Sequence, residues 1–385
     1  MSNLQTLQAA QAEVDSGTMT EARFELISTS VGFRPNPLGL FSDPSLLRVC
    51  DPMAAITVDW MHNMLQDGTF TLEATLFVRA CEPLGVTFEQ LCTFLDDERW
   101  VFPASARSTS SRLYRIFDVW RNSRGDGKVR GSCAEMLGLY GLLRHFAETV
   151  VGRREEISHE WDSFQACCRC IDLLLLAKRR TADPRRMAAE LERALALHLE
   201  LHKRAYGIAK VKPKHHWQLD QAKQLSRDNC VLDGFIIERI HLQVKAIAEK
   251  IKNTSRFEAS VLAGVLNATV NTRNKFRGCS RLRGTISPWP GLEGASIAPH
   301  MTIFGGHLSR GDVVLRADDA GIIVACLQQG DLLLLMVDRL QLRVAVSQHC
   351  GRYQPLGGRS CWVAWHVEVA LAWYMEAPDV VIVRC

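Results

Sequence analysis

The 385-residue sequence is short of several things, and each shortage excludes something. It has no long apolar run: the longest are Ile171 to Ala177, interrupted by Asp172, and Leu332 to Val337. A membrane helix needs about 20 apolar residues, so no membrane partner is expected. The N-terminus, MSNLQTLQAAQAEVDSGTMTEARFEL, lacks a basic stretch followed by an apolar one, which is not the pattern of a secretory signal. There is no GxxxxGKS/T phosphate loop, no GxSxG elbow and no GxGxxG turn. That argues against an ATPase, a serine hydrolase of that class and a nicotinamide enzyme. The 13 cysteines are odd in number and have no framework spacing. Even Cys167, Cys168 and Cys170 lack a second pair to complete a zinc motif. They read as reduced thiols of a nuclear or cytosolic protein. Charge of one sign is also scarce: 46 basic against 42 acidic residues leave +4, which neither demands nor opposes a nucleic-acid partner.

What is present is an ordinary globular composition, 47% hydrophobic and 23% charged, long enough for two or three domains. The patterning changes near residue 280. Residues 1–58 read as an N-terminal helix followed by a loop rich in Gly and Pro, with a short apolar run from Ala54 to Val58. Residues 59–277 are mainly helical. In 132–151, Met136, Tyr140, Leu143, Ala147 and Val150 recur at helical spacing. So do Phe164, Cys168, Ile171 and Leu175 in 160–178. In 184–206 the line is Met187, Leu191, Ala194, His198, Leu201 and Ala205, with Pro184 suited to a first turn. Residues 230–252 carry Ile237, Ile240, Val244, Ile247 and Ile251 on one line, and Ser255 with Glu258 has capping-box spacing for a helix over 255–272. Residues 101–131 read as an exposed loop. Residues 278–300, rich in Gly and Pro, read as a linker. Residues 301–385 read as five or six short strands, with turns at Gly330–Asp331 and Gly357–Gly358 and an alternating face of Trp365, Val367, Val369 and Leu371. The expected class is α+β, with a small C-terminal all-β, barrel-like domain able to fold alone.

Three segments hold residues suited to chemistry. In DWMHN, Asp59 ends a short apolar run and His62 follows at i+3. The pair could face a divalent metal, or Asp59 could cap the next helix. Glu238, His241 and Lys245 stand at i, i+3 and i+7 of a helix. They could serve phosphoryl transfer, or form a solvated polar face. The segment KVKPKHHW supplies Lys210, Lys212, Lys214, His215, His216 and Trp217. Such a segment suits a phosphate backbone, with Trp217 stacking on a base, or is a basic loop entering a helix.

Taken in order, the DxMHN element, a long helical stretch, KPKHH and then FxxERxHxxxK resemble the CACTA-type (En/Spm-like) DDE transposases of eukaryotic mobile elements. The resemblance spans about residues 31 to 275. It implies a remnant of an RNase H-like core with a large helical insertion. It implies that Asp59 is the second catalytic carboxylate and Glu238 the last, holding Mg or Mn, with His62, His241 and Lys245 near the phosphate. It also implies that DNA is the partner, and a homo-oligomer is compatible with it. The sequence departs from the family at the first catalytic Asp. Of the earlier candidates, Asp15, Asp43 and Asp51, none ends a convincing strand. The expectation is a transposase-derived, DNA-binding protein without strand-transfer activity. The alternative is a non-catalytic helical scaffold or nucleic-acid-binding protein with a β-barrel interaction module.

Overall fold

The computed structural model describes residues 3–31, 57–97, 99–102, 129–179, 183–232, 234, 244–252, 254–276, 280–289, 294–303, 306–316, 319–346, 350–364, 367–370, 372–376 and 378–383. The chain divides into two compact units, residues 1–58 and 59–385. The first holds two helices, α1 (Asn3–Asp15) and α2 (Glu21–Val31).

The second unit is a mixed helical and strand structure. Its short first helix, α3 (Trp60–Met64), is followed by α4 (Thr69–Cys81) after a tight turn. Gly68 sits at that turn because a Cβ would lie 2.3 Å from the Met64 carbonyl carbon. Then come α5 (Phe88–Leu95), α6 (Cys133–Phe146), α7 (Ser158–Arg179) and α8 (Pro184–Tyr206). Thr87 and Ser132 close capping boxes with Gln90 and Glu135. Pro184 does occupy a first turn, and the Asp183 carboxylate accepts from the Arg185 and Arg186 amides at 3.3 Å. Two shorter helices, α9 (Pro213–Trp217) and α10 (Leu219–Asp228), pack back on this group, and α11 (Phe257–Phe276) precedes the strands.

On the line of 160–178, Phe164, Cys168 and Ile171 are fully buried and Leu175 is half-buried; on that of 230–252, Ile237 and Ile240 lie outside the described residues and Val244, Ile247 and Ile251 are half-buried; the other two lines shift. Met136, Tyr140, Leu143 and Ala147 are fully buried, but Val150 is exposed and Val151 takes its place. The last turn, Ala147–Val151, is a π-turn, which adds a residue and rotates the following side chains. On α8 the buried line is Met187, Leu191, Leu195, His198 and His202, one position away from the expected Ala194, Leu201 and Ala205. The helical core is aromatic: Phe77 stacks on Phe164 at 4.4 Å, and Phe70 meets Tyr140 edge-on at 5.6 Å. Within it Arg144 binds Asp172 at 2.9 Å and Glu148 at 3.0 Å, and the Tyr140 hydroxyl donates to Asp172.

Apart from the isolated bridge at Val101, every strand among the described residues lies beyond residue 280. Of the expected run from Ala54 to Val58, residues 54–56 lie outside the described residues and 57–58 are not strand. The expected linker is a correction: it supplies β1 (Arg281–Arg283), β2 (Ser287–Pro288) and β3 (Ala295–Ala298). They are followed by β4 (His300–Ile303), β5 (Gly306–Ser309), β6 (Val313–Arg316), β7 (Asp319–Gln329), β8 (Leu332–Ala345), β9 (Cys350–Val363), β10 (Glu368–Val369), β11 (Ala372–Glu376) and β12 (Asp379–Val383). The main sheet runs β10-β6-β7-β8-β9-β12-β11, with β3 added to β7 and β2 to β3, and it curls as an antiparallel half-barrel. A smaller sheet runs β1-β4-β5.

Gly330–Asp331 makes the expected two-residue hairpin turn between Gln329 and Leu332, with Gly330 at φ 57°. Gly357–Gly358 does not turn the chain. Both glycines have positive φ inside the continuous β9, where the register with β8 shifts between Asp338 and Leu340. This bulge and a second between Leu342 and Val344 interrupt the alternation, so one long strand reads in sequence as two. Of the expected Trp365–Leu371 face, Trp365 and Leu371 lie outside the described residues, and Val367 and Val369 are half-buried.

Candidate functional site

The helical region buries a polar cluster that sequence reasoning did not assemble. Glu73 lies in the middle of α4, between Leu72 and Ala74, on the face turned toward α8. His198 and His202 are one turn apart on α8, so both project to the same side. All three are fully buried. The Glu73 Oε2 accepts from His202 Nδ1 at 2.6 Å and lies 3.3 Å from His198 Nε2. His215 of α9 is also fully buried, its ring 4.4 Å from that of His202 and 5.9 Å from that of His198. Burial would raise the Glu73 carboxyl, but the hydrogen bonds from His198 and His202 outweigh it and hold the group at about 2. Burial, then the neighbouring His202 and His198, pushes His215 down to about 3, so its imidazole is neutral at pH 7. The ligand atoms of Glu73, His198 and His202 lie within 4.8 Å of one another, and the group could hold a metal ion. The signal was available: H-x-x-x-H on a helix, and a lone acid in an apolar one. The shifted buried line on α8 hid His202.

The Asp59 carboxylate does two jobs. Its Oδ1 accepts from the Met61 amide at 2.9 Å, capping α3, and its Oδ2 pairs with His62 Nδ1 at 2.5 Å. The cap reading of Asp59 therefore holds, and the expected proximity of His62 to it does too. Gly234 closes this pair: a Cβ there would lie 2.4 Å from Asp59 Oδ2. Glu238 and His241 lie outside the described residues. Lys245 is on an exposed turn of helix, its Nζ 4.0 Å from Glu249.

The basic segment divides. Lys210, Lys212, His216 and Trp217 are exposed. The expected roles of two others in nucleic-acid contact need correcting. His215 is turned inward, because α9 places it on the face packed against α8. Lys214 is half-buried, and its ammonium donates to the main-chain carbonyls of His62 at 2.9 Å and Gln66 at 2.7 Å at the end of α3. Burial lowers its pKa. Beside it a groove of about 1160 Å³ is lined by five basic side chains, Arg79, Arg130, Lys210, Lys212 and Lys214, against two acidic ones, Asp67 and Glu135, with Trp217 at its wall.

The thiols form no disulfide among the described residues. Cys81 and Cys326 are pushed up to about 12 by burial, and Cys167, Cys168 and Cys170 are raised further, so all five stay protonated and unreactive. No helix among the described residues is long and apolar enough to cross a membrane. No protein-family model, curated protein or solved structure matches the chain.

Proposed function

We propose that the chain is a transposase-derived protein that binds DNA in the basic groove and does not catalyse strand transfer. Its helical region would descend from the insertion of an RNase H-like DDE core. The observation that carries the reading is Lys214. It lines the groove and hydrogen-bonds the DxMHN helix at His62, while Gly234, four residues before Glu238, packs on Asp59. Two of the segments that carry the family resemblance, far apart in sequence, thus meet beside one cationic groove, and the residue just before the third packs on the first. Five cations against two anions favour a polyanion, and an exposed indole beside them suits a stacked base. Asp59 gives one oxygen to a helix cap and the other to His62, which supports a lost catalytic role.

The test is binding of fluorescent DNA by anisotropy across a salt series. Affinity should depend little on sequence. Each phosphate neutralised contributes about −0.9 to the log–log salt slope on duplex DNA. Replacing Lys210 and Lys212 together by Ala should therefore flatten the slope by roughly 1.8. A Lys178→Ala/Arg185→Ala protein, changed on helices away from the groove, should keep the original slope. Equal losses in both proteins, or none in either, would remove the groove as the contact surface. Supercoiled plasmid with Mg²⁺ or Mn²⁺ should stay intact. Nicking that disappears in Asp59→Ala would restore a catalytic reading.

A further inference from the structure

We infer that Glu73, His198 and His202, completed by His215, form a structural site for Zn²⁺ or a similar nitrogen-preferring divalent ion that ties α9 to α4 and α8. The donor set is three imidazoles and one carboxylate. Oxygen-seeking ions such as Mg²⁺ rarely accept such a set, whereas tetrahedral zinc favours it. All four side chains are fully buried, which suits a closed structural site and not one holding an exchangeable water.

The second observation is a set of polar atoms that the protein leaves without partners. His202 Nε2, His215 Nε2 and Gln218 Oε1 are buried with no hydrogen bond, and the Tyr206 hydroxyl faces the Glu73 carboxylate. Each such atom would cost about 1–3 kcal/mol if nothing met it. A cation on Glu73, held by His198 Nε2 and His202 Nδ1, would offer the His215 nitrogen a partner. The His215 ring lies closest to His202, and to supply a fourth nitrogen through Nε2 it must carry its proton on Nδ1 and give up the hydrogen bond that Nδ1 accepts from the Lys212 amide at 3.0 Å. Gln218 Nε2 lies 3.4 Å from His198 Nδ1, and with the side-chain amide turned over its Oε1 would accept the outer hydrogen bond of a metal-bound imidazole.

The site would also act on the groove. Helix α9 carries His215 on its inner face and Lys214 and Trp217 at the groove wall. A metal bound to His215 fixes that wall, so DNA affinity should fall when the metal is stripped. This consequence rests on the DNA-binding reading. The metal site itself does not.

The experiment uses the full chain, stripped with chelator and titrated with Co²⁺ as a spectroscopic stand-in for Zn²⁺. One equivalent should bind, give the intense visible absorption of tetrahedral cobalt, and be displaced by Zn²⁺. Loss of an outer hydrogen-bond partner already weakens a metal site about 10–100-fold, so His202→Gln should weaken it by at least about 100-fold. His300→Gln, in the β region, should leave the spectrum unchanged. Because a buried His→Gln change can unfold the chain, His215→Cys is the second variant. It should keep cobalt and add a thiolate-to-cobalt charge-transfer band in the near ultraviolet. No stoichiometric cobalt, or an octahedral spectrum, overturns the site. Cobalt binding without the new band in His215→Cys overturns His215 as the fourth ligand. Tetrahedral cobalt with no DNA binding in either metal state would leave the site standing and remove the groove reading. DNA binding with no cobalt would do the reverse.

Discussion

At the scale of single residues, the chain places ionisable side chains where burial decides their state. His145 at the end of α6 is packed against Phe94 and Trp100. Burial, helped by the charge of Arg352, lowers it to about 4. The folded protein therefore keeps His145 neutral between about pH 6.5 and 4, where the unfolded chain protonates it. The unfolded state binds more protons in that window, so stability falls as pH drops through it and levels off below about 4. A shift of this size corresponds to about 3 kcal/mol. Urea midpoints of the wild type and His145→Phe should accordingly converge or cross in favour of the variant as pH falls from 7 to 4. Parallel curves would mean that His145 titrates normally. The Arg144–Asp172–Glu148 network beside it answers to a different rule. Its cation is shared by two carboxylates and a phenol, so removing any one partner leaves a buried charge short of compensation.

At the scale of elements, the turn from α3 to α4 positions most of what matters. It sets Asp59 and His62 on one helix and Glu73 on the next. Asp67 takes a left-handed conformation at φ 47°, and Gly68 follows with no room for a side chain. Gly68→Ala would force the Met64 main chain to move, at a cost of about 1–3 kcal/mol by the usual range for overpacking. Thermal unfolding should show the loss. Because Lys214 holds the carbonyls of His62 and Gln66, protease cleavage near α9 should accelerate in the same variant. An unchanged melting temperature would show that the turn has slack. The π-turn at the end of α6 is a second case: it exposes Val150 and buries Val151.

At the scale of the whole molecule, residues 59–385 form one unit, and the β region shares its core with the helices. Cys350, Val381 and Val383 belong to the same buried cluster as Tyr140 and Phe146. The main chains of Val101 and Trp373 exchange two hydrogen bonds, at 2.8 and 3.0 Å. The sheet also has cores of its own, around Trp362 and around Tyr353. A fragment beginning near residue 300 would lack β1 and β3 and would uncover β12. It should retain strand signal by circular dichroism, yet bind an apolar dye and self-associate, while the full 59–385 unit stays dye-silent. A monomeric fragment 300–385 that ignores the dye would establish an independent β domain.

Local rules made the helix-then-strand order, the Pro184 first turn and the Gly330–Asp331 hairpin legible in the sequence. Each depends on residues within a few positions of one another, and so does the Asp59–His62 pair. Tertiary structure decided the rest. A π-turn and two bulges changed the periodicity that a regular helix or strand would keep. Of the strands read as linker, β3 pairs along the edge that β7 offers, β2 pairs with β3, and β1 pairs with β4. The basic segment was divided by packing, with Lys210 and Lys212 left to solvent, Lys214 drawn onto α3 and His215 turned inward. The Glu73–His198–His202 cluster joins positions 125 and 129 residues apart. No local pattern encodes that meeting. It follows from α4 and α8 packing their polar insertions face to face, where a carboxylate and imidazoles compensate one another for loss of water.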